Sequence, residues 1–477
     1  MILKQYYLGC LAHASYLIAD ERTKKAVVVD PQRDIEQYLH DAQAGGYSIQ
    51  YVILTHFHAD FLAGHIELRN RAGARIVMGA RAEAEFDFQG VKDGDRIDLG
   101  DVRLQMLETP GHTPEGLSVL VFDLTKSDTL PQAVLTGDTL FIGDVGRPDL
   151  LASIGVTADE LADMLFHSLQ KLRDLPDSTL VYPAHGAGSM CGKNLSKETV
   201  STIGEQKQFN YALQPMSLDD FKRLVTADQP EAPEYFVYDA IKNRQERPDL
   251  ATTLQTSLQA LSLDDVTRLK NQGAQLVDVR EAADFEGAHL AGSINIGLKG
   301  KYATWCGSIL SHDQPIVVIA DPGSEEEAVM RLGRIGFDNV SGYLREGMQA
   351  LDSHPESIRT IPRITAQALS DRLAESDPPF VLDVRSEKEW QAGHVVGSHN
   401  IPLTHLRERL AEVPADRPVV VHCEGGYRSA IASSLLSTAG RSNLQDLVGG
   451  IKAWGASKLP TESAGTEAPV CATSCKI

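Results

Sequence analysis

The second half of the chain is written twice. Gln275-Leu276-Val277-Asp278-Val279-Arg280 is answered by Phe380-Val381-Leu382-Asp383-Val384-Arg385, and His289, Gly292, Ser293, Asn295 and Ile296 are answered by His394, Gly397, Ser398, Asn400 and Ile401 at one constant offset. Self-similarity at so fixed a spacing means one folding unit used twice, which leaves few architectures open. In each copy a short apolar run, Pro315-Ile316-Val317-Val318 or Pro418-Val419-Val420-Val421, leads into a loop and then a helical pattern. Apolar strands alternating with helices predict a doubly wound parallel sheet, buried on both faces, in each copy. The copies are assigned to residues 246–357 and 358–460.

The first half, residues 1–245, has a different rhythm. Lys25 to Val29, Tyr51 to Leu54, Arg75 to Met78, Val102 to Leu107, Leu117 to Phe122, Ala133 to Thr136 and Leu180 to Tyr182 read as strands bounded by turns, with helical patterns at Ile35 to Ala44 and Ala158 to Leu172. This is a mixed α/β or α+β domain. Ser15 to Ile18 is taken as its first strand, and the periodicity weakens from about Pro215 to Leu254, so the division is placed near 245.

Charge and cysteine usage narrow the function. With 45 basic and 65 acidic side chains the formal charge is −20, which repels phosphate backbones and argues against nucleic-acid binding. No apolar run approaches the roughly eighteen residues of a membrane helix, so no membrane association is expected. The six cysteines are widely spaced except for Cys471 and Cys475, which is no secreted disulfide framework, and a reducing cytoplasm is the expected setting. The small, polar tail 461–477 is expected to be flexible, its two cysteines either a mobile dithiol or a variable end. Cys10 and Cys306 need only packing roles.

Directly after the strand ending at Leu54 comes Thr55-His56-Phe57-His58-Ala59-Asp60-Phe61, two imidazoles and a carboxylate on one strand-to-loop turn. His112, Asp138 and His185 stand in Thr109-Pro110-Gly111-His112-Thr113, Leu135-Thr136-Gly137-Asp138-Thr139 and Tyr182-Pro183-Ala184-His185-Gly186, each at a predicted strand end. Loops at strand ends can aim polar groups at a common point. With these motifs in this order, residues 1–245 resemble the metallo-β-lactamase superfamily, which implies an αββα sandwich with a metal site at one edge. Where that family's T-H-x-H-x-D-H signature ends in histidine, this chain has Phe61, which cannot hold a metal. The resemblance therefore implies one metal on His56, His112 and Asp138, with His58, Asp60 and His185 orienting ligands or water.

Two imidazoles and one carboxylate with open positions suit Fe(II) and O2 chemistry, so one Fe(2+) is expected in the first domain. The persulfide dioxygenase branch of the superfamily is similar in these ligands and in the loop Gly143-Asp144-Val145-Gly146-Arg147-Pro148-Asp149-Leu150. Arg147 there is a candidate for attracting an anionic persulfide, or for structuring its own loop. Cys191, with Lys193 nearby to lower its pKa, is either a carrier of sulfane sulfur or a buried inert thiol.

The third domain offers Val421-His422-Cys423-Glu424-Gly425-Gly426-Tyr427-Arg428-Ser429-Ala430, a cysteine leaving a buried strand into a glycine-bearing loop that opens a helix. Backbone N–H groups, the helix N-terminus and Arg428 are placed to cradle a thiolate or persulfide. The loop resembles that of the rhodanese family, C-x-x-x-x-R, and the likeness extends over about residues 362–460. The second domain is as similar outside the loop, but its counterpart is Ala320-Asp321-Pro322-Gly323-Ser324-Glu325, with Ala320 opposite Cys423 and Glu325 opposite Arg428. That copy is expected to be catalytically silent, spacing the other domains or making a subunit contact in a homo-oligomer.

Together the resemblances imply a persulfide dioxygenase coupled to a sulfurtransferase in sulfide detoxification. A small persulfide, such as glutathione persulfide or coenzyme A persulfide, would be oxidised by O2 to sulfite. Cys423 would pass sulfane sulfur to sulfite and form thiosulfate. Two other functions remain open from sequence: a dinuclear-zinc thiolester hydrolase similar to glyoxalase II, and a persulfide carrier or sensor whose metal site is vestigial.

Overall fold

The computed structural model describes residues 1–150, 155–227, 229 and 231–463. Cys471 and Cys475, and the tail proposed from sequence beyond Ser463, lie outside the described residues. The chain forms two compact units, Met1–Gln255 with Met330–Asp338, and Thr256–Val329 with the segment from Asn339 onward. Among the described residues no helix is long and apolar enough to cross a membrane.

The first unit is built on two mixed, six-stranded sheets. One contains, in order, β1 (Ile2–Leu8), β2 (His13–Ala19), β3 (Lys25–Val29), β4 (Ser48–Ile53), β5 (Arg75–Gly79) and β6 (Gln89–Val91). The other contains β7 (Arg96–Asp98), β8 (Val102–Glu108), β9 (Leu117–Asp123), β10 (Ala133–Gly137), β11 (Leu180–Pro183) and β12 (Ser201–Thr202). The first strand is thus not the Ser15 to Ile18 segment but β1, which pairs antiparallel with it. Lys4 and Gln5 interrupt the apolar pattern of β1, as befits a half-buried edge strand.

Side chains alternate across each strand, and the packing uses both faces. Val119 and Val121 of β9 face a core shared with Tyr16, Ile18, Val29 and Ile53 of the opposite sheet. Leu120 and Phe122, on the other face, pack on Leu165, Leu169 and Leu172 of the helix Ala158–Arg173. This is the αββα sandwich. The weakly patterned stretch before residue 255 is helical at Leu218–Thr226, Tyr235–Lys242 and Leu250–Ser257. Fully buried Arg33 donates to Asp338 at 2.6 and 3.1 Å and to the Gly333 carbonyl at 2.6 Å, which ties Met330–Asp338 into this unit.

The second unit holds the two copies. One sheet runs Ala260–Leu261, Val340–Leu344, Ile316–Ile319, Gln275–Asp278, Ser293–Asn295, and the other Arg363–Ile364, Leu444–Leu447, Val419–His422, Phe380–Asp383, His399–Asn400. Every pairing in these two sheets is parallel. The repeated residues do the same work twice. Arg280 pairs with Asp278 and donates to Ala288 O, as Arg385 pairs with Asp383 and donates to Gly393 O. His289 stacks on Phe285 and its Nδ1 is 2.8 Å from Phe285 O, while His394 does the same with Trp390. The repeated residues therefore record fold determinants.

Candidate metal centre and sulfur-transfer loop

Strands β4, β8, β10 and β11 end at one edge of the sandwich, and the turns that follow carry His56, His112, Asp138 and His185. The imidazole Nε2 atoms of His56 and His112 lie 3.7 and 3.5 Å from Asp138 Oδ2, and the ligand atoms of these three residues are all within 4.8 Å of one another. Each ring is oriented through its other nitrogen. His56 Nδ1 bonds Thr55 Oγ1 at 2.9 Å, and that hydroxyl donates to Asp30 at 2.8 Å; His112 Nδ1 donates to the Arg147 carbonyl at 2.9 Å. Both Nε2 atoms are thereby left as acceptors for a cation. Burial, then the neighbouring histidines, pushes His56 well below its usual range, and burial takes His112 to about 4, so both imidazoles are neutral at pH 7. Among the described residues no N–H or O–H group donates to either Asp138 oxygen although the residue is buried, and the Cys191 thiol is the one weak donor beside it. A buried carboxylate without an N–H or O–H partner, beside two oriented, neutral imidazoles, is a donor set that fits a divalent metal.

A second group, His58, Asp60 and His185, also has its ligand atoms within 4.8 Å of one another. His58, however, turns Nε2 towards Asp30 at 3.2 Å. Burial opposes a charge on this ring, but the Asp30, Asp138 and Asp60 carboxylates outweigh it and raise its pKa. Phe61 lies against the ring with centroids 4.5 Å apart and is 1% exposed, so an apolar wall stands where the family signature has histidine.

In the second unit, strand Val419–His422 delivers Cys423 to a loop ending at the helix Tyr427–Thr438. The Gly426 N–H donates to Cys423 Sγ at 3.1 Å, from a residue at φ +117° that favours glycine. Ser429 Oγ lies 3.7 Å from the sulfur and itself donates to Gly426 O. Glu424 and Gly425 are exposed, Glu424 pairing with Lys452 at 2.9 Å. Arg428 is committed to Glu389 through two 2.7 Å bonds; burial works to raise that carboxyl, but Arg428 takes it down to about 2. In the other copy the loop is closed against anions, because the Gly323 N–H, the counterpart of Gly426, donates to the Glu325 carboxylate at 2.7 Å.

The chain is similar to known proteins in both units. The description of the metallo-beta-lactamase superfamily matches residues 8–185, and that of the rhodanese-like domain matches residues 262–354 and 365–457. The mitochondrial persulfide dioxygenase ETHE1 of Bos taurus is 30% identical over 230 residues, 47% of this chain and 80% of that protein. The chain belongs to the metallo-beta-lactamase superfamily. Two rhodanese-like domains follow its metallo-beta-lactamase domain. A hydroxyacylglutathione hydrolase of Polaromonas sp. is 29% identical over 266 residues, 49% of this chain and 94% of that protein. The crystal structure of a metallo-beta-lactamase from Staphylococcus aureus covers 72% of this chain and 98% of its own at 31% identity, with a TM-score of 0.65.

Other candidates in the metallo-beta-lactamase domain are differently disposed. Arg147 is 2% exposed and spends its guanidinium on Asp149, at 2.9 and 2.6 Å, and on the Met190 carbonyl, so it structures its own loop. Cys191 lies with Asp138 and His185, ligand atoms within 4.8 Å. The expected effect of Lys193 on its pKa is not met. Lys193 Nζ bonds the Leu224 carbonyl, while burial, then Asp60 and Asp138, pushes the Cys191 thiol well up.

Sequence reasoning passed over the residues that fix the His56–Ala63 turn. Asp30, at φ +49°, accepts from the Thr55 N–H at 2.7 Å as well as from its hydroxyl. Glu115 accepts from the Phe57 N–H at 3.1 Å. Asn243, fully buried at the end of Tyr235–Lys242, accepts from the Ala63 N–H at 2.9 Å and donates to the His58 and Phe61 carbonyls at 2.8 Å. Only Asp30 left a trace in the sequence, as an acid closing an apolar strand; nothing local marks Asn243.

Proposed function

We propose that the metallo-beta-lactamase domain is a non-haem iron persulfide dioxygenase and that the last rhodanese-like domain is a sulfurtransferase working on the same sulfur pool. The observation that carries this is the pairing of two oriented, neutral imidazoles with one carboxylate that has no N–H or O–H partner, His56, His112 and Asp138, beside Phe61. Iron(II) on these residues would supply one-electron chemistry and free positions for a thiolate sulfur and O2. The protein's part is orientation: Thr55 and Arg147 O hold the imidazoles, and Phe61 and His13, ring centroids 4.2 Å apart, keep one wall closed. The balanced reaction is persulfide plus O2 plus water giving thiol, sulfite and two protons.

In the sulfurtransferase step the Cys423 thiolate attacks the outer sulfur of a second persulfide, the S–S bond breaks, and the departing thiolate takes a proton. Sulfite then attacks the outer sulfur of the Cys423 persulfide, thiosulfate leaves, and the thiolate is regenerated. The Gly426 N–H is aimed at the sulfur that carries the charge at each stage. Cytoplasmic removal of sulfide-derived persulfides is the setting that suits both activities.

His58, Asp60 and His185 favour one rival, a dinuclear thiolester hydrolase, which would work without oxygen. Oxygen uptake by the iron-reconstituted chain with glutathione persulfide or coenzyme A persulfide, with sulfite and thiosulfate assayed in the same samples, separates the two. Asp138→Ala should lose metal and oxygen uptake, and Cys423→Ser should lose only thiosulfate formation. Absence of uptake with verified iron refutes the dioxygenase.

A further inference from the structure

The helix that opens the sulfur-transfer loop has no solvent face over most of its length. Ser429 through Leu436 are all buried. A helix lying on one sheet normally keeps a polar side for water. Here the far side is covered by the silent copy, whose strand Ser293–Asn295 and helix Ala282–Gly287 pack against it. The Asn295 N–H donates to Ser434 Oγ at 3.1 Å. At the first residue of the helix the Tyr427 hydroxyl donates to the Gly297 carbonyl at 2.7 Å. Its ring lies so close to Gly300 that a Cβ there would stand 2.5 Å from a ring carbon.

We propose that Tyr427 is a positioning residue through which the silent rhodanese-like copy holds the sulfur-transfer loop. Gly426 is the soft joint between two anchors: its N–H is on Cys423 Sγ, and the next residue is pinned to Gly297. The Gly426 carbonyl is held from within the helix by the Ser429 hydroxyl and the Ala430 N–H, and at φ +117° the glycine still has freedom to swing, so Tyr427 adds the anchor that ties this joint to the other copy. The silent copy has Ser324 at the matching position, with no ring to seat. The copy without the thiol thus supplies a wall that shapes the other copy's site.

The proposal rests on Cys423 as the sulfur acceptor, and its test separates the two. In the full-length chain, Tyr427→Phe keeps the ring and deletes the hydroxyl bond, while Gly300→Ala, in the other domain, pushes the ring out. Each should lower kcat for sulfur transfer from thiosulfate to cyanide about fivefold or more, the worth of one hydrogen bond, with KM little changed. Each should slow alkylation of Cys423 by iodoacetamide, read by peptide mass spectrometry, by a similar factor. Persulfide-dependent oxygen uptake should be unchanged in Gly300→Ala. Combining Gly300→Ala with Tyr427→Ala should do no more than Tyr427→Ala alone, since the clash needs the ring. Parent-like kcat and alkylation in both single variants would overturn the proposal. A parent chain that transfers no sulfur refutes the role of Cys423 instead, and the alkylation rates still test the anchor.

Discussion

Asn243→Ala tests whether the metal turn is held from outside itself. The side chain makes three buried hydrogen bonds to the backbone of the turn, to Ala63 N–H and to the His58 and Phe61 carbonyls. At about 1 kcal/mol net for each, the substitution should cost the first domain about 3 kcal/mol. Because the turn begins at the proposed metal ligand His56, metal affinity should fall as well, by about 10- to 100-fold, the usual loss when a ligand's support is removed. All three tryptophans, Trp305, Trp390 and Trp454, lie in the second unit, so fluorescence is blind to this change. The assay is hydrogen exchange of first-domain peptides covering residues 56–65, together with competition for Co(II) against a chelator. Faster exchange confined to the first domain and weaker metal binding are expected. Parent-like exchange and affinity would refute the argument and leave Asp30 and Glu115 as sufficient supports.

Two further outcomes follow from the geometry. Thr55→Val keeps the shape of the side chain but leaves His56 Nδ1 without its 2.9 Å partner, so metal affinity should drop about tenfold or more while the circular dichroism spectrum stays unchanged. Glu286 is buried beside Arg363 at 3.0 Å, and burial raises its carboxyl to about 7. Between roughly pH 4.5 and 7 the unfolded chain gives up this proton before the folded one does, so the contribution to stability is full at acid pH and lost as pH rises. Denaturant midpoints of the second unit, followed by tryptophan fluorescence, should therefore fall with rising pH in this window, and Glu286→Gln should lessen that slope, the neighbouring Asp446, whose carboxyl burial and then Glu286 push well up, contributing the same sign.

Much of the candidate site could be read from residue order, because its candidate ligands are anchored to strand ends. An apolar run that must be buried fixes where its turn emerges, and so His56, His112, Asp138 and His185 were identifiable one by one from their neighbours. The same logic picked out Cys423 between a buried strand and a glycine loop, and named Ala320 and Glu325 as the marks of a silent copy. Edge strand β1 escaped because Lys4 and Gln5 break the pattern that burial on one face would otherwise impose.

The sequence by itself determined the repeat, which depends on periodicity, and singled out candidate site residues by type, while the sandwich came as what the metallo-β-lactamase resemblance implies. Only the tertiary structure decided how those side chains are used. His58 was expected to orient ligands or water, and only the fold shows that its Nε2 turns to Asp30, 3.2 Å away at the end of another strand. Arg147 and Arg428 were both candidate anion binders, and their partners Asp149 and Glu389 show how far each charge is already committed. Asn243 and Tyr427 act across long sequence separations on backbone groups, which any residue could supply. A hydrogen bond to a peptide group leaves no signature in the chain that offers it, so such anchors become visible only when the fold brings their ends together.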